Sequence, residues 1–353
     1  MVDWSALVTK VLLFVLVCCL SSTVDLPMMN RNRGQFPRGI AVAMLCQFVL
    51  LPLLGFITIK IFQLNEVEGV MLIILTASPG GSYSNWWCSI MNADLGLSVA
   101  CTAVSSIFSA ATLPINILIY LGASYGQTII QSIAWAEIFI IIAIVTAGVA
   151  TGLLLSWRLS HMGPRGHTHR SRLNLLGNVC GLVLIVLGFV FSSSSGTPLW
   201  SRPSKLYFAM AFPALLAFPL SFSLASLPIV RLTRPQRVAV GVECIFQNVG
   251  IAISIAISMY DEETVGQAIF APLWYGVSQS VLMPMQLLVL WKLGFTYAPP
   301  SASLWRVVTQ SWQPTCDQLE EAAASRVRVP ASAQLEVMQT TPLRKATPNS
   351  VVL

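Results

Sequence analysis

Charged side chains are scarce in this sequence, since Asp, Glu, Lys and Arg together make up 10% of its 353 residues. A soluble domain usually carries about 25% charged residues. Apolar residues make up 55% of the chain, and the mean hydropathy is +0.74. These values predict a polytopic, all-α membrane protein. The net charge of +6 is no sign of nucleic-acid binding, because the basic residues concentrate in loops between apolar segments.

The sequence also lacks the cysteine spacing of a disulfide framework or a zinc site. Its eight cysteines form no Cys-x-x-Cys pair, and all but Cys316 lie in apolar segments. We interpret them as packing residues of membrane helices. The apolar segments hold no nucleophile with a base and no metal cluster, which argues against an intramembrane enzyme. For His161, His167 and His169, a solvated loop is favoured over a metal site.

Long apolar runs are abundant. Since a membrane-spanning helix needs about 20 apolar residues, the sequence predicts nine, near 5–26, 39–59, 69–91, 95–121, 132–157, 174–193, 206–230, 238–259 and 268–292. The first is interpreted as a helix and not a signal peptide, because "SSTVDLPMMN" is a poor cleavage sequence. Residues 1–293 are thus predicted to form the transmembrane domain. Residues 294–353 are predicted to form a mostly disordered cytoplasmic tail, with a short helix in "DQLEEAAASRVR".

The basic residues predict the orientation of the helices. The loops at 27–38, 158–173 and 231–237 hold ten arginines, whereas the opposite loops hold three basic residues and five acidic ones. By the positive-inside rule the arginine-rich loops are cytoplasmic. The amino end is then outside and the carboxyl end inside. The plasma membrane is the default location, because "TPNSVVL" contains no retention signal.

Two predicted helices are interrupted. The third contains "SPGGSYSN" (78–85), and Pro-Gly-Gly cannot continue a regular helix. The eighth contains "VECIFQNVGIA" (242–252), which places a carboxylate and two amides in an apolar run. Irregular backbone at membrane depth is tolerated only inside protein or against a wet cavity. Each interrupted helix is the third of its set, in helices 1–4 and helices 6–9. The two sets are inverted relative to each other in the membrane. Such matched breaks indicate a transporter site at the bilayer midplane.

The acid in the second break needs a partner. A carboxylate in the bilayer costs about 2.5–3.5 kcal/mol by insertion scales, and no Lys or Arg is predicted at the depth of Glu243. Gln247 lies four residues on, on the same helix face. The surrounding oxygen donors suit a small, hard, monovalent cation: Ser84, Asn85, Ser98, Thr102, Gln47 and the carbonyls of Cys244 and Phe246. The competing acid Glu137 lies near the outer end of the fifth helix, where we predict a solvated role.

These stretches resemble the bile acid/sodium symporter family. The matching sequences are "LCQFVLLPLLGF" (45–56), "SPGGSYSNWWCSIMNADLGLSVACT" (78–102), "VECIFQNVGIA" (242–252) and "APLWYGVSQS" (271–280). The resemblance covers residues 10 to 295, and the nine-helix count is similar to that of the animal bile acid transporters. It implies inverted repeats arranged as a panel domain and a core domain, with the third and eighth helices crossing in the core.

The resemblance also implies two sodium ions beside the crossing and an organic anion between the domains. The first ion would bind Ser84, Asn85, Ser98, Thr102 and Glu243. The second would bind Gln47, Glu243, Gln247 and the carbonyls of Cys244 and Phe246. Substrate contacts would come from Ser82, Asn248, Tyr275 and Gln279. Tyr83, Trp86 and Trp87 are larger than the side chains usual at their positions, which leaves the substrate open.

The expected function is sodium-coupled symport of an organic anion by alternating access, with a bile acid or steroid sulfate as first choice. The expected partners are the anion, the sodium ions and the lipid bilayer; the sequence leaves the oligomeric state open. One alternative is a sodium- or proton-coupled carrier of a small carboxylate such as pyruvate or pantoate. A metalloid exporter would use Cys88 or Cys101, and its flux would depend on pH instead of sodium. A non-transporting receptor would bind ligand without flux.

Overall fold

The structure is a computed structural model that describes residues 4–23, 36–81, 83–162, 164–194, 199–314 and 349–350. Its helices are α1 (Trp4–Ser21), α2 (Pro37–Phe62), α3 (Glu66–Thr76), α4 (Tyr83–Ile90), α5 (Leu95–Tyr125), α6 (Gln127–Ser132), α7 (Trp135–Ser160), α8 (Pro164–Ser194), α9 (Ser204–Ala225), α10 (Arg234–Ile245), α11 (Val249–Met259), α12 (Val265–Lys292) and α13 (Leu304–Thr309). A 3₁₀ turn spans Leu199–Ser201, and the two-residue strands β1 (Gln310–Ser311) and β2 (Asn349–Ser350) pair antiparallel.

Among the described residues, seven helices are long and apolar enough to cross a membrane: α1, α2, α5, α7, α8, α9 and α12. Large apolar side chains also face outward, as Phe208 does with 71% of its surface exposed. The predicted class, a polytopic helical membrane protein, is therefore confirmed. The other two predicted spans, 69–91 and 238–259, are each a pair of short helices, α3–α4 and α10–α11. The count of nine spans stays a prediction.

Several helices begin at polar residues that cap them. The side chain of Asn65 accepts a hydrogen bond from Glu68 N at the start of α3, and Asp94 accepts one from Leu97 N at the start of α5. Thr233 and Gln236 form a reciprocal capping box at the start of α10. These side chains satisfy amides that a helix start leaves without a partner. The starts of these helices are therefore coded locally.

Helix α2 widens into a π-helical turn at Cys46–Leu50. Pro52 has no N–H, so it cannot donate to the carbonyl of Phe48 as a regular helix would require. The side chain of Asn116, on α5, donates to that carbonyl at 3.3 Å. Gln47 lies inside the widened turn and is fully buried. The π-turn therefore fixes the position from which Gln47 reaches the neighbouring helices.

Helix α1 packs tightly against α7 and α8. An added Cβ at Gly148 of α7 would lie 3.2 Å from the side chain of Val17, and one at Gly177 of α8 would lie 3.1 Å from Cys19. Small residues at such positions let membrane helices approach closely. The remaining long helices surround the pairs α3–α4 and α10–α11, and most residues of α3 and α11 are buried.

One predicted boundary is wrong at the start of α8. The sequence predicts a helix over 174–193 after an arginine-rich loop at 158–173, but α7 runs to Ser160 and α8 already begins at Pro164. Hydropathy detects only the apolar part of a helix, whereas Arg and His also adopt helical conformations. Arg170 is held on the neighbouring helix, since its guanidinium donates to the carbonyl of Ser156 at 3.2 Å.

The region after α12 also differs from the expectation of a tail that starts at 294. Residues 294–314 pack against the loop 91–94 that joins α4 to α5. Asn92, at a positive φ of 57°, donates from its side chain to the carbonyl of Val307 at 2.8 Å and accepts from Trp312 N at 2.7 Å. Its own carbonyl accepts from Tyr297 N at 2.9 Å. The rest of the predicted tail, including 317–328, lies outside the described residues apart from β2.

Candidate functional site

The two breaks meet inside the molecule. Residues 77–82 separate α3 from α4, residues 246–248 separate α10 from α11, and Gly80 pairs with Gln247 in an antiparallel bridge. Gly81 N donates to the carbonyl of Phe246 at 2.7 Å, and Asn248 N donates to the carbonyl of Pro79 at 3.1 Å. Each segment thus satisfies backbone groups that the other has lost by leaving the helix. This mutual pairing is what permits irregular backbone within the bundle.

Glycine is required at two positions of the crossing because the neighbouring atoms leave no room for a side chain. An added Cβ at Gly80 would lie 2.6 Å from Nε2 of Gln47 and 2.9 Å from Oε2 of Glu243. One at Gly81 would lie 2.9 Å from the carbonyl oxygen of Gln247, which is main chain. The Pro-Gly-Gly stretch therefore does more than end a helix. It lets the first segment lie directly against the carboxylate and backbone of the second.

The carboxylate of Glu243 lies in a cluster of side-chain oxygens contributed by α4 and α5. Glu243 has no exposed surface. Ser84 Oγ donates to its Oε1 at 2.6 Å, Ser98 Oγ donates to the same oxygen, and Thr102 Oγ1 lies 3.1 Å from Oε2. Asn85 Oδ1 is 2.9 Å from Ser98 Oγ. The structure thus brings Ser84, Asn85, Ser98 and Thr102 together around Glu243.

This cluster has more oxygen acceptors than hydroxyl protons. The hydroxyls of Ser84, Ser98 and Thr102 supply three protons, and each can be donated only once. The acceptors within reach are both carboxylate oxygens, Asn85 Oδ1 and the carbonyl of Ser98, which lies 3.1 Å from Thr102 Oγ1. In the part of the chain that the structure describes, no Lys or Arg pairs with Glu243. A buried cluster of this composition matches the ligand preference of a hard cation.

Two amide side chains lie next to the cluster with their oxygens free. Gln47 Nε2 donates to the carbonyl of Glu243 at 2.7 Å, and Gln247 Nε2 donates to the carbonyl of Cys244 at 2.8 Å. Oε1 of each glutamine is buried and accepts no hydrogen bond from the described residues. The carbonyls of Cys244 and Phe246 each accept one hydrogen bond, which leaves each a second lone pair.

The predicted substrate residues lie at the second break in two different settings. Asn248 caps α11 by accepting from Ile251 N at 3.3 Å and is partly exposed. Tyr275 and Gln279 of α12 are buried, with Tyr275 Oη donating to Ile245 O at 2.9 Å and Gln279 Oε1 accepting from Gln247 N at 3.0 Å. These two side chains support the unwound backbone, and their contact with substrate stays a prediction. Ser82 lies outside the described residues.

The competing acid has a partner that the sequence did not indicate. Glu137 Oε2 lies 2.6 Å from Nζ of Lys10, with the side chains 28% and 18% exposed. The two residues are 127 positions apart, so no local spacing pointed to the pair. Nδ1 of His161 lies 2.7 Å from the carbonyl of Trp157. Among the described residues, no group of three His, Cys, Asp or Glu side chains is placed to hold a metal ion.

Fold and site together define a polytopic membrane protein in which two broken helices cross beside a buried carboxylate. The sequence pattern of the sodium bile acid symporter family matches residues 10–197 of the chain. The protein belongs to this family, whose members are sodium-coupled transporters and not enzymes. The resemblance seen in the sequence motifs is thereby confirmed. The matched range ends before the second broken segment.

Named relatives are similar over a longer part of the chain. The hepatic sodium/bile acid cotransporter of Rattus norvegicus is 23% identical over 274 residues, which is 78% of this chain and 74% of the relative. The ileal sodium/bile acid cotransporter of Homo sapiens is 26% identical over 246 residues, covering 69% of this chain and 67% of the relative. The human sodium-dependent organic anion transporter is 27% identical over 248 residues, covering 69% and 62%.

Proposed function

We propose that this protein is a secondary active transporter that carries an organic anion into the cell together with sodium. The observation that carries this proposal is the carboxylate of Glu243, buried among oxygen acceptors that outnumber the available protons. An ionised acid in this position needs positive charge, and the described side chains around it supply none. Family membership makes sodium the first candidate.

Two sodium ions are proposed. The first binds among Ser84, Asn85, Ser98, Thr102 and Glu243, whose oxygens already lie within hydrogen-bond distance of one another. The second binds near the free amide oxygens of Gln47 and Gln247, with Glu243 and the carbonyls of Cys244 and Phe246. Both sets consist of oxygen ligands, as a hard monovalent cation prefers. Sodium would neutralise Glu243 and hold the two broken segments in register.

The proposed transport cycle moves two groups of helices against each other. The panel consists of α1, α7 and α8, and the core contains the crossing and the remaining long helices. With the broken pairs counted as spans, the chain crosses the plasma membrane nine times and its carboxyl end is cytoplasmic. The arrangement is supported by the tight packing of α1 on α7 and α8 and by the matched positions of the two breaks. The transporter domain then spans 1–293, with residues 294–314 docked on its cytoplasmic face.

The proposed substrate is an organic anion that binds between panel and core. Helices α4 and α11 both begin at the crossing, and the amino ends of helices favour negative charge. Asn248 lies at the second of these ends with part of its surface exposed. A bile acid or steroid sulfate is the first choice, because the relatives are named for bile acids and organic anions. Sodium and anion would strengthen each other's binding by the same factor.

Two sodium ions per monovalent anion would carry one net positive charge. The membrane potential then contributes about 2.3 kcal/mol per 100 mV to uptake. A carrier with this stoichiometry is expected to respond to a potassium diffusion potential imposed across the vesicle membrane. Electroneutral transport would show no such response.

The function is tested by uptake of labelled estrone sulfate and taurocholate into vesicles that contain the purified protein. Sodium-driven uptake should disappear when choline replaces sodium and in the variant Glu243→Gln, which keeps the shape but removes the charge. Glu137→Gln is the matched control, since it changes another acid of the membrane helices, which lies away from the crossing. Uptake that ignores sodium, or that survives Glu243→Gln, would overturn the mechanism. Uptake that follows external pH at fixed sodium would indicate proton coupling.

A further inference from the structure

Tyr83 connects the crossing to the helices packed beside it. It is the first residue of α4 and directly precedes Ser84 of the oxygen cluster. Its hydroxyl donates to the carbonyl of Asn178, on α8, at 3.3 Å. A phenol in partly apolar surroundings needs such an acceptor. The side chain therefore bridges from the first broken segment to a helix outside the crossing.

The tip of the ring lies at a glycine of α8. An added Cβ at Gly181 would be 3.2 Å from Tyr83 Oη and 3.4 Å from Cδ1 of Leu16, on α1. The absence of a side chain at this position leaves the room that the tyrosine hydroxyl occupies. Tyr83, Gly181 and Leu16 thus form one contact between the crossing and the pair α1–α8.

The ring also reaches the second broken segment. Its centroid lies 6.2 Å from that of Phe246, with the ring planes tilted by 58°. Phe246 belongs to the stretch that separates α10 from α11 and accepts the hydrogen bond from Gly81 N. Tyr83 is only partly buried, so part of its surface remains exposed. The ring therefore fills space beside both broken segments, next to the oxygen cluster.

We propose that Tyr83 is the residue that sets the size of the transported anion. This inference rests on the proposed function, because the anion would pass between the α1–α8 pair and the crossing, where the ring lies. The ring occupies part of the cross-section of this path, which a bulky anion would need. A flat steroid sulfate can lie along the ring, whereas a bent bile acid with several hydroxyl groups cannot. The wild-type protein should therefore prefer estrone sulfate to taurocholate.

The test compares sodium-dependent uptake of these two anions in Tyr83→Ala and Tyr83→Phe. The alanine variant should raise the ratio of taurocholate to estrone sulfate uptake by about tenfold, as expected for removal of bulk from an apolar pocket. The phenylalanine variant keeps the ring and loses only the hydrogen bond, so its ratio should stay at the wild-type value. An unchanged ratio in Tyr83→Ala, or an equal change in both variants, would overturn the inference.

A second pair of variants tests the contact itself. Gly181→Val puts a side chain where the tyrosine hydroxyl lies, so it should lower uptake and thermal stability in detergent. The same change in the Tyr83→Ala background should cost much less, because the two residues share one space. If the effects of the two substitutions simply add in the double variant, the two residues do not share one space. If wild-type uptake depends on sodium but the ratio of taurocholate to estrone sulfate uptake does not change in Tyr83→Ala, only this inference is wrong. If neither the wild-type protein nor any variant takes up either anion in a sodium-dependent way, the proposed function is wrong as well.

Discussion

The two breaks at the crossing are built in opposite ways. The first, at 77–82, depends on residues with little or no side chain, and Gly80 and Gly81 leave room for the partner segment. The second, at 246–248, keeps large polar and aromatic side chains, and its backbone is held from outside by Tyr275 and Gln279 of α12. One break supplies space, and the other keeps polar side chains and is supported from outside.

This difference predicts how each break responds to mutation. At the first break a new side chain would displace the carboxylate of Glu243 and the amide of Gln47 at Gly80, or main chain at Gly81. At the second break each support is one hydrogen bond, and the loss of one such bond to a buried group costs about 1–3 kcal/mol. Changes at the first break should therefore be all-or-none, and changes at the second should be graded.

The largest effect is expected for Gly80→Ala. Its Cβ would lie 2.9 Å from Oε2 of Glu243 and 2.6 Å from Nε2 of Gln47, so either these side chains or the first segment must move, and the cluster is disrupted. Sodium-dependent uptake should fall to the choline background. Gly122→Ala in α5 is the matched control, because the nearest atom to its Cβ is 4.0 Å away. A Gly80→Ala protein with near-normal uptake would show that the first break is not limited by space.

A smaller effect is expected for Tyr275→Phe, which removes the hydrogen bond to the carbonyl of Ile245. The second segment keeps its other contacts, so transport should persist. The sodium concentration for half-maximal uptake should rise by about tenfold, which corresponds to roughly 1.4 kcal/mol. Ser280→Ala serves as control, since its hydroxyl bonds only within its own helix. Complete loss of uptake in Tyr275→Phe would erase the contrast between the two breaks.

The smallest effect on transport is expected for Asn92→Ala. This change removes the side-chain bonds that hold the segment 294–314, and it leaves the crossing untouched. Arg306 is exposed in that segment, so trypsin should cleave there faster in the variant than in a Thr309→Ala control. Uptake should change less than in Tyr275→Phe. If it fell as far as in Gly80→Ala, the docked segment and the crossing would have to be a single unit.

Much of the crossing could be predicted because its determinants are local. The run Pro79-Gly80-Gly81 strongly disfavours a continuous helix, and Glu243 in an apolar run requires a polar environment. The spacing of Ser98 and Thr102 places both hydroxyls on one face of α5, and both approach Glu243 in the structure. Composition and hydropathy were likewise sufficient to locate the long helices, apart from the start of α8.

What the sequence did not predict depends on contacts between distant positions. Lys10 and Glu137 pair across 127 residues, and Tyr275 reaches a carbonyl 30 residues away. Neither leaves a periodic signal, so the first was missed and the second was assigned another role. The docking of 294–314 rests on hydrogen bonds between its main chain and the side chain and carbonyl of Asn92, which composition cannot reveal. The early start of α8 was missed because charged residues hide a helix from a hydropathy scan.

The reciprocal backbone bonds at the crossing also constrain how the protein is made. Glu243 contacts Ser84, Ser98 and Thr102 across 159, 145 and 141 residues. During synthesis the stretch 77–82 enters the bilayer long before 246–248 exists, so its unpaired amides and carbonyls must be shielded by water, lipid headgroups or a chaperone. A ribosome-bound chain that ends before Arg234 should therefore be a distinct, protease-sensitive intermediate of membrane insertion.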